Sequence, residues 1–175
     1  MKTSIWIIDF GSQYTQLITR KARELGHTSE ILTVDEGLER IKTDRPLALV
    51  LSGGPQSVFE DQTNYAHFFQ DESLPILGIC YGMQIMAQHF KGHVEKGVLG
   101  EYGAAKIKKI FQSNIEGLSD ESEVWMSHSD HVSRLPENFE VIFQSDNGLI
   151  AGMKSTIRPV IGLQFHPEVQ HTPQG

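Results

Sequence analysis

Leu77-Gly78-Ile79-Cys80-Tyr81-Gly82 is the stretch whose reading decides the fold. An apolar run from Pro75 to Ile79 leads into the only cysteine of the chain, with a glycine two residues away on either side. The pattern predicts a strand over 75–79 that turns sharply into a helix over 82–90. Glycine stands at 78 and 82 because side chains there would collide with the reversing backbone. The thiol is then held at the tip of the turn, facing the free N–H groups and positive dipole end of the following helix. Taken alone, the hexapeptide equally allows a packed thiol in an ordinary strand-to-helix turn.

The rest of the composition narrows the field. A chain of 175 residues is the size of one domain, large enough for a proper core, so residues 1–175 are read as a single unit. Its formal net charge of -7, with no basic stripe, argues against a nucleic-acid binder. The apolar run Ile5 to Ile8 is cut by Asp9 and is too short for a signal peptide or a membrane span, so a cytoplasmic location without membrane contact is expected. One cysteine can supply neither an internal disulfide nor a zinc cage, which leaves packing or reactivity.

Outward from the elbow, apolar runs alternate with helical patterns through the first half: 4–8, then 14–25, then 29–34, then 37–42. Residues 47–51 and 75–79 read as strands buried on both faces. This is the rhythm of an α/β fold with an open, mostly parallel twisted sheet and helices on both faces. After Gly92 the runs 94–96, 104–110, 123–126, 141–144, 149–154 and 160–164 predict successive strands with few helices, added antiparallel to the same core. No helix follows the last strand before Gly175, which suggests a chain cut from a longer one or a surface kept for a partner.

In open parallel sheets ligands sit beyond the carboxyl ends of the strands. Here those positions carry Asp9-Phe10-Gly11-Ser12, Ser52-Gly53-Gly54-Pro55, Cys80-Tyr81-Gly82 and His166-Pro167-Glu168. An oxyanion needs backbone N–H donors at close range, and the N–H groups of Gly54 and Tyr81 make such a pair. Proline holds the residue before it extended, so His166 and Glu168 share a face, and the carboxylate can fix the imidazole while its other nitrogen meets the thiol. Alone, Gly-Gly-Pro is a plain turn and a surface His-Pro-Glu is decoration. Combined with the elbow they read as a Cys80-His166-Glu168 triad. The other seven histidines lack ligand spacing and no metal is assigned. Gln84, one turn beyond the thiol, either faces the pocket or is a solvated helix residue.

These residues carry a family likeness. The chain resembles the class I (triad) glutamine amidotransferases, through Gly78-Ile79-Cys80-Tyr81-Gly82-Met83-Gln84 and Gln164-Phe165-His166-Pro167-Glu168-Val169. Within them it is similar to the glutaminase domains of GMP synthetases, through Asp9-Phe10-Gly11-Ser12-Gln13-Tyr14, Trp125-Met126-Ser127-His128 and His171-Thr172. The resemblance implies a flavodoxin-like fold and hydrolysis of L-glutamine to glutamate and ammonia. It implies that Gln84 contacts glutamine and that the backbone of Ser127, Ser129 and Asp130 cradles its amino-acid end. Serine at 129 departs from the family's usual glycine, and strain is expected there if the position needs positive φ or a close backbone approach.

The resemblance further implies a partner: a synthetase (ATP pyrophosphatase) unit, in the same full-length chain, that aminates XMP with ATP and magnesium. No phosphate-binding loop of the kind that unit carries occurs here, so no cofactor is expected in this domain. Two alternatives remain, a glutaminase serving another amidotransferase and a catalytically silent regulatory module on the same fold. Intact Cys80, His166 and Glu168 speak against the second.

Overall fold

The computed structural model describes residues 4–98, 100–110 and 119–175. In chain order these form β1 (Ile5–Asp9), α1 (Thr15–Glu24), β2 (Ser29–Thr33), α2 (Val34–Arg40), β3 (Ala48–Leu51), a 3-10 turn (Ala66–Phe69), β4 (Ile76–Ile79) and α3 (Tyr81–His89). The second half adds β5 (His93–Glu95), β6 (Glu101–Lys109), β7 (Glu121–His128), β8 (His131–Arg134), β9 (Phe139–Ser145), β10 (Ile150–Ser155) and β11 (Val160–Leu163).

Nine strands share one sheet in the order β2-β1-β3-β4-β11-β10-β9-β6-β7, while β5 and β8 form a separate ribbon. The first five strands of that order run parallel, and the pairings from β11 onward are antiparallel. The parallel strands are nearly all apolar because helices cover both faces. Ile7, Val50 and Ile79 pack with Ile18 of α1 on one side. Trp6, Ile8, Leu49 and Leu51 pack with Met83 and Met86 of α3 on the other, where Val34 and Leu38 of α2 join them. A third cluster, Ile107, Val124, Met126, Ile142, Phe143, Ala151 and Phe165, fills the antiparallel end. Among the described residues no helix is long and apolar enough to cross a membrane.

Strand β11, expected as an antiparallel addition, instead pairs parallel with β4. Strands β6 and β7 run further than expected, and two other elements differ as well. Helix α2 starts at Val34 rather than 37, because Thr33 caps it: its hydroxyl accepts from Glu36 N–H at 3.3 Å while the Glu36 carboxylate accepts from Thr33 N–H at 2.8 Å. Strand β8 has no counterpart among the expected runs, since of its four residues only Val132 is buried and the pattern carries no period.

The elbow is built by close backbone approach. A Cβ on Gly82 would overlap the Leu51 carbonyl oxygen, and Gly82 N–H donates to Ser52 O at 3.2 Å. Helix α3 therefore lies directly against the end of β3, and Gly82→Ala must push the two apart. The expected cost is about 1–3 kcal/mol, read as a lower urea midpoint at unchanged m-value.

Candidate active site

Cys80 occupies the turn between β4 and α3 with φ 52 and ψ -105, a left-handed conformation that L-residues rarely adopt. Such a backbone costs about 1–3 kcal/mol and persists only where the surroundings over-determine it. They do so here, with Cys80 N–H donating to Leu163 O at 2.7 Å and Gln84 N–H donating to Cys80 O at 3.3 Å. The sulfur is buried against two polar partners. Gln164 Nε2 donates to it at 3.6 Å, and Ser127 O lies at the same distance on its other side.

The sheet register explains why His166 arrives beside this sulfur. β11 lies next to β4 and parallel to it, with Leu163 paired to Ile79, so both strands end at the same level. The chain then continues through Phe165 to His166, whose N–H donates to Trp125 O at 3.0 Å. His166 Nδ1 and Glu168 Oε1 are 2.8 Å apart, and both side chains are buried. The shared face predicted from the intervening proline is thus observed. Burial pushes the imidazole pKa down, but hydrogen bonds and charge from Cys80 and Glu168 outweigh it and raise it to about 10. A Cβ on Gly53 would sit 3.0 Å from His166 Cε1 and 3.6 Å from Cys80 Cβ, which places the β3 loop against the same two groups.

Gly54 is glycine for steric reasons. A Cβ there would come within 2.5 Å of Phe10 O. A cleft of about 240 Å³ opens beside the sulfur, and Gly54, Tyr81, Gln84, Ser127, Ser129 and Asp130 line it together with Cys80. Every residue expected at the thiol, the oxyanion donors and the glutamine contacts is therefore brought to one place. His166 lines the adjoining cavity with Cys80, Gly54 and Ser127.

Gln84 resolves as a pocket residue rather than a solvated one: it is buried, and Nε2 donates to Asp130 O at 2.8 Å. The strain expected at Ser129 does not arise. Among the described residues the non-glycine positions with positive φ are Cys80, Lys91 and Asn138, so serine at 129 carries no positive-φ strain. Asp130 is held from another side by Ser57, whose hydroxyl donates to its carboxylate at 2.6 Å.

Several supporting residues had no assignment from the sequence. Thr172 Oγ1 donates to His166 O at 2.7 Å and accepts from Trp125 N–H at 2.9 Å, stapling the segment that carries the imidazole to β7. The edge of the Tyr14 ring packs on the imidazole, with centroids 5.2 Å apart. Asp61 accepts from the hydroxyls of both Tyr81 and Tyr65 at 2.5 Å, anchoring the ring of the residue just after the sulfur. The contacts of Thr172 with Trp125, of Asp61 with Tyr81 and of Tyr14 with His166 bridge distant parts of the chain, and no local pattern announces them. The Thr172 position was visible only as part of His171-Thr172.

A GMP synthase [glutamine-hydrolyzing] from Thermosipho africanus is 44% identical over 173 residues, which cover 98% of this chain and 34% of that protein. One from Chlorobium phaeovibrioides is 47% identical over 182 residues, covering 98% and 35%. The chain thus spans about a third of the length of these curated relatives. Among solved structures, a candidate GMP synthase component from Thermoplasma acidophilum superposes with a TM-score of 0.87 at 35% identity, covering 98% of this chain and 87% of that one. A glutamine amidotransferase from Thermotoga maritima shares the fold, with a TM-score of 0.80 at 24% identity, covering 97% and 77%. The family model for glutamine amidotransferase class-I matches residues 6–175, and the chain belongs to that family.

Proposed function

We propose that residues 1–175 are a glutaminase domain that hydrolyses L-glutamine to glutamate and ammonia and passes the ammonia to a synthetase unit converting XMP to GMP. The observation that carries this reading is the buried Cys80-His166-Glu168 constellation, opening on a cleft lined by Gly54 and Tyr81. A silent regulatory module would not need to keep a strained cysteine beside a carboxylate-held imidazole.

The chemistry follows from the geometry. His166, whose Nδ1 is engaged by Glu168, holds the Cys80 proton in the reacting form, and the sulfur attacks the side-chain amide carbon of glutamine. The developing oxyanion is met by the N–H groups of Gly54 and Tyr81. As the C–N bond breaks, His166 gives its proton to the departing nitrogen, which leaves as ammonia, and a thioester remains on Cys80. His166, now neutral, takes a proton from water. The hydroxyl adds to the thioester carbon, the C–S bond breaks, and glutamate departs. Gln84 and the 127–130 loop hold the amino-acid end of the substrate throughout.

The synthetase unit belongs to the remaining two thirds of a full-length chain like those of the relatives. ATP, magnesium and XMP are bound there, and no residue of this domain is assigned to them. A cytoplasmic location is part of the same reading. Ammonia release from glutamine, with and without the synthetase region and its nucleotides, tests the proposal. We expect weak release from residues 1–175 alone and about tenfold more with the loaded partner, within the usual range of coupling between sites. Equal rates in both would remove the coupling, and no release in either would remove the glutaminase.

A further inference from the structure

At the wall of the cleft, which His128 lines, lies a polar side-chain pair to which the proposed mechanism gives no role. In the antiparallel register of β6 and β7, Glu101 stands directly opposite His128. Both side chains take the inward parity of their strands and are buried, on the face where Ile107, Val124 and Met126 form an apolar core. Charged and polar groups at such positions are costly unless every hydrogen-bonding atom is satisfied. Here they are. His128 Nε2 lies 3.0 Å from Glu101 Oε2, and His128 Nδ1 lies 3.0 Å from Asp130 O. The other carboxylate oxygen, Glu101 Oε1, accepts from Ser145 Oγ at 2.7 Å and Asn147 Nδ2 at 2.9 Å. Burial pushes the Glu101 carboxyl pKa up, but these three donors outweigh it and hold it at about 2, so the acceptor is a carboxylate.

The direction of this chain of contacts is what gives it meaning. It starts at the turn between β9 and β10, crosses β6 through Glu101 and β7 through His128, and ends on the carbonyl of Asp130 in the cleft. That carbonyl also accepts from Gln84 Nε2 at 2.8 Å, and Gln84 is on α3, one turn after the sulfur. Asp130 O thus accepts from Gln84 on the helix that carries the thiol and stands 3.0 Å from His128 Nδ1 at the end of the strut.

We infer that Glu101 and His128 are positioning residues for glutamine: together they fix the Asp130 carbonyl, and through it the Gln84 amide, in the geometry that receives the amino-acid end of the substrate. The inference rests on the glutaminase reading above and deepens it. Neither residue touches the sulfur or the amide that reacts, so their loss weakens binding more than chemistry. Removing the Glu101 side chain is needed to break the strut, because an amide at that position could still accept from Ser145 and Asn147 and donate to an unprotonated His128 Nε2.

The test uses Glu101→Ala, His128→Gln and the double variant in the full-length protein. His128→Gln leaves a donor that can reach Glu101 but removes the bond to Asp130 O. We expect each single variant to raise the KM for glutamine about tenfold, the scale of one hydrogen bond to a charged group, with a smaller fall in kcat. The double variant should raise it little further, because both changes break one strut. Inactivation by a glutamine-shaped diazoketone, which must seat in the cleft, should slow by the same factor. Alkylation by iodoacetamide, which need not, should stay within about twofold and so reports a folded site around Cys80. A lower kcat at unchanged KM would make the pair merely structural and overturn the inference, as would additive effects in the double variant. Glutamine hydrolysis by the wild-type protein is measured first. Its absence overturns the glutaminase reading and this one with it, whereas hydrolysis with an unmoved KM in both single variants overturns this one alone.

Discussion

Replacing Cys80 by alanine is expected to remove glutamine hydrolysis altogether, with a loss of about five orders of magnitude or more in kcat. The size follows from the role: without sulfur there is no acyl acceptor, and the residual rate is what oxyanion donors and binding provide by themselves. The variant should nevertheless fold. Cys80 contributes little apolar surface to its cluster, and alanine keeps the backbone N–H that donates to Leu163 O. Alanine is as uncomfortable as cysteine at φ 52, so the strain of the turn is unchanged by the substitution. Steady-state ammonia release checks the rate, and a thermal melt checks the fold. Glutamine should still bind to the variant, with affinity set by Gln84 and the 127–130 loop. Hydrolysis at near wild-type rate would remove the thioester from the mechanism.

The second large effect is expected at His166. His166→Ala should lower kcat/KM by about three to four orders of magnitude, because one group serves as proton acceptor for the thiol, donor to the leaving nitrogen and base for water. Glu168→Ala should cost less, since it orients a ring that Cys80 also engages. The imidazole also predicts a pH profile. Its pKa in the folded protein is raised, so the proton on His166 is retained through neutral pH and lost as pH rises through about 10. Activity that needs this proton for the leaving ammonia falls on that alkaline limb. The same pair contributes to folding stability: its contribution is fully present below the ordinary histidine value of about 6.5 and disappears as pH rises toward 10. Rate and denaturant midpoint, each measured between pH 6 and about 11, check the two halves. In the alanine variant the part of the alkaline decline due to His166 should be gone from both.

Legibility in the sequence was uneven for a physical reason. The elbow, the Gly53-Gly54 loop and the His166-Pro167-Glu168 segment were readable because each depends on local sterics: a glycine where a side chain has no room, a proline that fixes its neighbour. Their meeting was readable from the rule that strand ends share an edge. The neighbours of that edge were not, because the insertion of β11 between β4 and β10 is a matter of long-range pairing. Thr172, Asp61 and Ser57 fall in the same class, each bonding a residue far off in the chain. Helix α2 begins earlier than its apolar period suggests, although Thr33-Val34-Asp35-Glu36 spells a capping box, so there the local signal exists in full. Strands β6 and β7 run further than their apolar runs suggested because polar residues at their ends are held by cross-strand partners, Glu101 and His128 among them.

The placement of β11 has a consequence for how the protein comes into being. This strand follows all the others in the chain, yet it lies inside the large sheet, with the four other parallel strands on one side and β10 on the other. During synthesis the first four parallel strands can pair as they emerge, and the antiparallel strands β6, β7, β9 and β10 can pair among themselves, but without β11 no strand pairing within the large sheet joins the two halves. Residues 160–168 perform that joining, and the same few residues bring the imidazole to the thiol. Closing contacts of such large sequence separation is slow compared with local pairing. The nascent chain therefore holds a cysteine without its imidazole and two open sheet edges until β11 is made, and the thiol–imidazole pair and the finished sheet are completed together.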